Sequence, residues 1–95
     1  MPAIGVLTLE LKIEESHSLK EKRHVVKSLK DRIRHKYNVS VAEIDYLDQW
    51  QRALLSVVTV SASRQYADGL LRCVEDEVAS LTGQALIEAT IEWIE

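Results

Sequence analysis

The chain has 95 residues, of which 46% are hydrophobic and 28% are charged, so it suits one small domain with a single core. Its only cysteine, Cys73, excludes an internal disulfide and a thiolate metal cluster, and no apolar run approaches the roughly 20 residues that span a bilayer. The formal charge of −3 argues against indiscriminate coating of nucleic acid, and the near absence of cysteine predicts a cytoplasmic protein.

The first predicted element is a strand over residues 4–13, in which leucine and isoleucine alternate with polar residues. Ser18 stands three residues before Glu21, a capping-box pattern that predicts the start of a helix. The helical spacing continues to about Lys36. We expect Asn38 to close this helix, because asparagine tolerates the left-handed conformation found after many helices.

The middle of the chain predicts two strands joined by a short connection. Residues 38–46 are rich in β-branched side chains but also charged, which favours an edge strand. Residues 52–62 form the most continuous apolar run and predict a central strand. Residues 47–51 lie between them and predict a turn or a short loop.

A second helix is predicted over residues 64–82, with Ser63 as its N-cap and Gly83 at its end. Its predicted buried stripe consists of Ala67, Leu70, Leu71, Val74, Val78 and Leu81. Residues 84–95 alternate again and predict a last strand, with Ile87, Ala89, Ile91 and Trp93 facing the core.

The predicted order of elements is β-α-β-β-α-β. Right-handed crossovers and one hairpin fold this order most simply into an α+β, ferredoxin-like sandwich over residues 1–95. Both helices would cover one face of a four-stranded antiparallel sheet. Strands one and three would lie in the middle, in agreement with their greater apolarity.

The positive charge is concentrated on the first helix. Residues 16–37 hold eight of the twelve basic residues of the chain. A helical wheel places an apolar group toward the sheet: Leu19, Val25, Val26, Leu29 and Ile33. It places five basic residues at spacings of three and four along one line beside that group. These five, called the basic ridge below, are Lys20, Arg23, Lys27, Lys30 and Arg34.

Lys22 is the exception among these bases, since it falls inside the apolar sector of the wheel. It must either extend past the start of the helix to water or meet a carboxylate.

Two interpretations of the basic ridge remain open. In the first, it is a solvated face that forms ion pairs with Glu75, Asp76 and Glu77 of the second helix, each exposed pair contributing about 0–1 kcal/mol. Alternatively, it binds the phosphates of structured RNA, since five aligned like charges repel one another unless an anion lies along them. Ser16, His17 and Ser18 could add an anion pocket at the start of the helix, although Ser18 is equally suited to capping alone.

Two other regions predict contacts with partners. Trp50 and Arg52 flank the connection between the second and third strands, where tryptophan would either cover the core or anchor an interface. Val6 with Val58 or Val60 could line a homodimer contact on the open sheet face.

The segments SLKEKRHVVKSLKDRIR and NVSVAEIDYLDQWQRALLSVVTVS resemble the YlxP-like family of small bacterial proteins of unknown function. The resemblance covers essentially the whole chain, and it is most specific at residues 18–23, 43–50 and 52. It implies a ferredoxin-like fold. Because members are commonly encoded beside translation-initiation and ribosome-maturation factors, it also implies a role near the small ribosomal subunit. It implies no reaction.

The sequence predicts a binding protein rather than an enzyme. The loop before the first helix lacks the glycines of a phosphate-cradling loop, no Ser-His-Asp arrangement is visible, and the three histidines are too scattered to hold one metal ion. We expect no cofactor, no metal and no membrane. The expected partner is ribosomal RNA or a ribosomal protein, and the alternative is a homodimer or another protein with no role for nucleic acid.

Overall fold

The structure, a computed structural model, describes residues 1–94. The predicted order of elements is confirmed. The chain forms β1 (Ala3–Lys12), α1 (Leu19–Lys36), β2 (Ser40–Asp45), β3 (Arg52–Ser61), α2 (Arg64–Thr82), a 3₁₀ turn (Gly83–Ala85) and β4 (Leu86–Ile94). The predicted last strand included Glu95, which lies outside the described residues.

The four strands form one antiparallel sheet in the order β2-β3-β1-β4. β1 and β3 are therefore the central strands, and β2 and β4 are the edges, as a ferredoxin-like sandwich requires. Alternate strand residues point toward the helices and form a single core with them. Its fully buried members are Leu7, Leu9, Leu11, Ile33, Ala53, Leu55, Val57, Leu71, Val74 and Val78.

Each helix buries a narrower stripe than its apolar residues predicted. In α1, Val25 is exposed and Leu19 is only half-buried. The buried stripe is Lys22, Val26, Leu29 and Ile33, so a lysine occupies the place expected for an apolar residue. In α2, Leu70 is half-buried and Leu81 is exposed. The inward position after Val78 belongs to Thr82, whose hydroxyl donates to the Val78 carbonyl oxygen at 2.7 Å.

The end of α1 differs from the prediction. Asn38 does not adopt the left-handed conformation, and the cap residue Tyr37 is extended, with φ −126°. The Tyr37 amide still donates to the Ile33 carbonyl oxygen at 2.9 Å, and its phenol lies 3.4 Å from the Cys73 carbonyl oxygen of α2. The chain therefore passes from α1 to β2 without a residue in the left-handed conformation, and Tyr37 contacts α2 at this point.

The start of β4 also differs, because the strand contains a β-bulge. Leu86 pairs with Leu11 while Glu88 pairs with Glu10, so Ile87 is an extra residue between two pairs. The bulge turns Leu86 toward the core and leaves Ile87 exposed. The predicted inward position of Ile87 is therefore wrong, whereas those of Ala89, Ile91 and Trp93 agree with their half-buried side chains.

Gly5 permits a close approach between β1 and its neighbours. A Cβ atom at this position would lie 2.7 Å from a Leu71 methyl and 2.9 Å from the Trp93 ring. We expect Gly5→Ala to lower the free energy of unfolding by about 1–3 kcal/mol, because the overpacked side chains must shift. Urea unfolding followed by circular dichroism measures this change.

Gly69 provides the matched control. It is exposed on α2 and a Cβ atom there would meet nothing within 4 Å. Gly69→Ala should raise the free energy of unfolding by about 0.5–1 kcal/mol, because alanine favours the helix. Equal effects at the two positions would show that Gly5 is not constrained by packing.

Candidate nucleic-acid interface

The basic ridge lies on the side of α1 next to β2. Arg34 Nη2 donates to the Val41 carbonyl oxygen of β2 at 2.7 Å. Four of the five ridge residues, together with Asp31, Val26 and Glu43, line a shallow groove of about 350 Å³ between the helix and this edge strand; those four are Arg23, Lys27, Lys30 and Arg34. Lys20 lies at the start of the helix, outside that groove. The linear arrangement predicted from the helical wheel therefore becomes one wall of a groove.

One carboxylate of the same helix interacts with the ridge. Lys27 Nζ bonds to Asp31 Oδ2 at 2.7 Å, and Arg34 Nη1 lies 3.8 Å from Asp31 Oδ1. The hydrogen bond from Lys27 lowers the pKa of Asp31. Lys20, Arg23 and Lys30 have no ion-pair partner among residues 1–94. Five cations facing one carboxylate leave the ridge strongly positive.

The acidic side of α2 interacts with different bases. Glu77 accepts from Arg32 Nε at 3.2 Å and from Lys36 Nζ at 2.7 Å across the α1–α2 seam. Neither base belongs to the ridge. The predicted ion pairs between the ridge and the acids of α2 are therefore wrong, because the ridge lies on the opposite flank of α1.

The Glu77 cluster predicts a dependence of stability on pH. Hydrogen bonds from Lys36 and then Arg32 lower the pKa of Glu77 below its usual 4.5. A lowered carboxyl pKa means that the cluster stabilises the fold fully above about pH 4.5 and progressively less as pH falls through the folded-state value. Glu77→Gln should therefore be less stable than the parent at pH 7. Below pH 4 the difference in stability between the two proteins should become smaller. Thermal unfolding at both pH values measures this change, and a difference independent of pH would contradict it.

Lys22 meets a carboxylate, the second of the two outcomes expected for it. Its side chain is fully buried; Nζ contacts Glu43 Oε2 and donates to the Tyr46 carbonyl oxygen at 2.8 Å. Glu43 is 13% exposed, and its Oε2 has no other hydrogen-bond donor among residues 1–94. Since Glu43 also lines the groove, Lys22 offsets a negative charge that would otherwise oppose an anion there.

The sequence reasoning did not identify the pairing of Glu43 with Lys22. Glu43 follows Val41 by two residues, so both side chains lie on the inner face of β2. A glutamate at an inward strand position and a lysine at an inward helix position are each unfavourable alone. Their simultaneous occurrence was the signal that could have predicted the pair.

Several groups of the predicted anion pocket at the start of α1 form hydrogen bonds within the protein. Ser18 Oγ accepts from the Glu21 amide at 3.1 Å, and the Glu21 carboxylate accepts from the His17 amide at 2.5 Å. Ser16 is buried and its hydroxyl donates to the Ser18 carbonyl oxygen at 3.1 Å. The Glu21 carboxylate thus lies beside the start of α1, where its negative charge disfavours an external anion.

Trp50 and Arg52, the two residues predicted as an interface, have different surroundings at the connection between β2 and β3. Arg52 donates to Glu10 at 2.7 Å, and its guanidinium lies 4.1 Å from the centre of the Tyr46 ring. Tyr46 has φ 62°, so this stacking fixes a left-handed residue of the turn. Trp50 is instead 55% exposed, as is Leu47. Trp50 therefore does not cover the core, and it remains available for a contact, whereas Arg52 has partners within the chain.

Residues 1–94 contain no group of three or more His, Cys, Asp or Glu residues placed to hold a metal ion. None of the described helices is sufficiently long and apolar to cross a membrane.

A family model described as "Protein of unknown function (DUF503)" matches residues 4–91. The chain belongs to this family. It is also 40% identical over 93 residues to the uncharacterized protein YlxP of Bacillus subtilis strain 168, with 95% of this chain and 98% of the relative covered. The resemblance inferred from the quoted segments is thereby confirmed.

Among solved structures, the chain is similar to a de novo designed protein with a ferredoxin fold, LFR1 1, whose structure was determined by NMR. The TM-score is 0.54 at 14% identity, and the alignment covers 99% of this chain and 84% of the other. At this identity the similarity concerns the fold alone.

Proposed function

We propose that this member of the DUF503 family is a non-enzymatic binding protein of the bacterial cytoplasm that contacts structured RNA, in the small ribosomal subunit, through the basic ridge. The phosphate contacts would come from Lys20, Arg23, Lys27, Lys30 and Arg34. Specificity would depend on the shape of the RNA, because the ridge offers charge without stacking rings.

The observation that carries this proposal is the position of the ridge relative to the acids of the protein. The carboxylate at the helix seam, Glu77, is paired with bases outside the ridge. Lys20, Arg23 and Lys30 have no carboxylate partner among residues 1–94. Unpaired cations in one line are suited to a polyanion, whose phosphates displace counterions on binding.

The open face of the sheet is a poor alternative site for RNA. Domains that bind RNA on a four-stranded sheet stack bases on aromatic side chains of that face. Here the outward residues of β1 and β4 include Thr8, Glu10, Lys12, Glu88, Thr90 and Glu92. Three of these six residues are acids, one is a base and none is aromatic, so the helix is the favoured surface for phosphate.

A pull-down of the tagged protein from native bacterial lysate, with and without nuclease, tests the proposal. We expect small-subunit ribosomal RNA among the captured molecules, and we expect ribosomal proteins captured through RNA to disappear after nuclease treatment. Direct binding of purified small-subunit RNA should then weaken steeply with salt. Absence of RNA from the capture, or binding unaffected by salt, would contradict the proposal.

The exposure of Trp50 favours a second candidate function, a protein-partner module. Trp50 and Leu47, each 55% exposed, lie in the turn between β2 and β3. Gln51 holds this turn, because its side-chain nitrogen Nε2 donates to the Glu14 and Ser16 carbonyl oxygens at 3.0 Å. A rigid turn that presents a tryptophan is typical of an interface anchor. A partner that survives nuclease treatment and is lost with Trp50→Ala would favour this function.

A further inference from the structure

The two edges of the sheet are protected to different degrees. An edge strand presents unpaired backbone groups, and natural proteins shield such edges with short strands, bulges, proline or charged residues, above all lysine. β2 has only six residues and an irregular register between Glu43 and Asp45. Arg34 also caps its Val41 carbonyl oxygen at 2.7 Å. This edge therefore carries three of the protective features.

β4 has fewer of these features. It runs for nine residues without lysine, arginine or proline, and its bulge lies at its first residues, next to Leu86. Among the described elements it pairs with β1 on one side only. From Glu88 to Ile94 its register with β1 is regular, so these seven residues form a sheet edge without a bulge and, among the described elements, without a further strand beside it.

The side chains of β4 are also incompletely covered. Ala89, Ile91 and Trp93 face α2, yet all three are only half-buried. Their neighbours at the centre of the sheet are instead fully buried: Leu7, Leu9, Leu11, Ala53, Leu55 and Val57. The helix thus covers the inner face of the edge strand in part. An additional strand beside β4 would bury the remaining apolar surface and pair its backbone groups in one step.

The face of β4 that points away from the helices indicates which charge an added strand should carry. Glu88 and Glu92 are exposed and have no ion-pair partner among residues 1–94. Their cross-strand neighbours on β1 are Glu10, already paired with Arg52, and Val6. The two carboxylates are four residues apart, with Thr90 between them, so an incoming strand would place bases at the same spacing.

We propose that β4 is a docking edge for an extended segment of a partner protein, in which basic residues four positions apart face Glu88 and Glu92 and apolar residues alternate with them. A second copy of this chain is a poorer occupant, because β4 has no base to place opposite the two glutamates. The proposal does not depend on RNA binding by the basic ridge, which lies on α1 beside the other edge.

The test uses a synthetic peptide, acetyl-VKVTVKV-amide, and the full chain labelled with ¹⁵N. The sequence of the peptide is palindromic, so it can pair in either direction. We expect amide shifts in NMR spectra to concentrate in β4 and in the adjacent half of β1, with no comparable shifts in β2. A peptide with N-methyl groups on alternate residues should not bind, because it cannot pair with the edge.

Charge reversal provides the specificity control. Acetyl-VEVTVEV-amide should bind about tenfold more weakly, because two attractive cross-strand pairs become repulsive. The variant E88K/E92K should instead bind the glutamate peptide more tightly than the lysine peptide. The matched variant D48K/D76K changes the net charge equally on exposed residues outside β4, and it should retain the preference of the parent.

Three results with the peptides would overturn the proposal: equal binding of the two peptides, shifts that map to β2, or no shifts at millimolar peptide. Shifts of β4 amides that depend on the concentration of the protein alone would assign the edge to a second copy and would also reject the proposal. Failure of RNA binding by the ridge would leave all these results unchanged, so the two proposals can fail separately.

Discussion

Replacing Lys22 by methionine should lower the free energy of unfolding by about 3 kcal/mol, since it leaves a largely buried carboxylate without its cation. Glu43 is 13% exposed and would retain only a narrow contact with water through the groove. In a domain of about this size the loss corresponds to a decrease in melting temperature of about 12–24 °C.

The reciprocal change should cost more. Glu43→Leu would leave the ammonium of Lys22, which is fully buried, with the Tyr46 carbonyl oxygen as its remaining partner. We expect a loss of about 4–5 kcal/mol. The double variant Lys22→Met/Glu43→Leu should recover to within about 1 kcal/mol of the parent, because no charge is then buried.

Urea unfolding of the parent, both single variants and the double variant measures this cycle. The exposed pair Lys27 and Asp31, with side chains 76% and 53% exposed, is the matched control. Its single variants Lys27→Met and Asp31→Leu should each cost less than about 1 kcal/mol. If the two pairs behave alike, the Lys22–Glu43 contact is accessible to water rather than buried.

The secondary structure could be predicted because it depends on local geometry. Alternation in β1 and spacings of three and four in both helices are properties of the backbone, and the caps at Ser18, Ser63 and Gly83 depend on neighbouring residues. The order of elements then permitted few topologies. For these reasons the strand order and nearly all element boundaries followed from the sequence.

The exposure of several side chains could not be predicted, because it depends on how separate elements pack against one another. Val25 is exposed because α1 presents only a narrow stripe to the sheet, and Ile87 is exposed because a bulge shifts the register of β4. Neither fact has a local signal. The exposure of Trp50 likewise depends on how the turn between β2 and β3 is held, by contacts with residues more than thirty positions away.

The basic ridge has one property that could be predicted from the sequence and one that could not. Its alignment on one flank of α1 followed from the spacing of its residues, and its pair between Lys27 and Asp31 is an ordinary contact of residues four apart. Its orientation toward β2 could not be predicted, because that depends on the packing angle of the helix. This orientation distinguishes a free cationic surface from a seam of ion pairs with α2.

Reversing the charge of Arg23, Lys27 and Lys30 together, to glutamate, should abolish binding to small-subunit ribosomal RNA. Arg23 and Lys27 are exposed, Lys30 is half-buried, and no main-chain hydrogen bond of the fold depends on their side chains among residues 1–94. The circular dichroism spectrum should therefore be unchanged. A variant of the same net charge, K12E/R64E/R72E, changes exposed bases outside the ridge and should bind RNA nearly as well as the parent.

The salt dependence gives a more specific measure than the loss of binding. Neutralising the same three residues to glutamine should reduce the slope of log K against log salt by about 2–3, since each phosphate contact contributes about 0.7–0.9. Fluorescence anisotropy with labelled RNA at several salt concentrations measures this slope. A ridge variant that binds as well as the parent, with an unchanged slope, would locate the RNA elsewhere.

Individual ridge residues should not contribute equally. Arg34 already donates to the Val41 carbonyl oxygen and lies near Asp31, whereas Arg23 has no such partner among residues 1–94. Arg23→Gln should therefore weaken RNA binding more than Arg34→Gln, because a guanidinium already held by the fold has fewer donors left for phosphate. The reverse order would mean that RNA makes its closest contact at the Arg34 end of the ridge rather than at the Arg23 end.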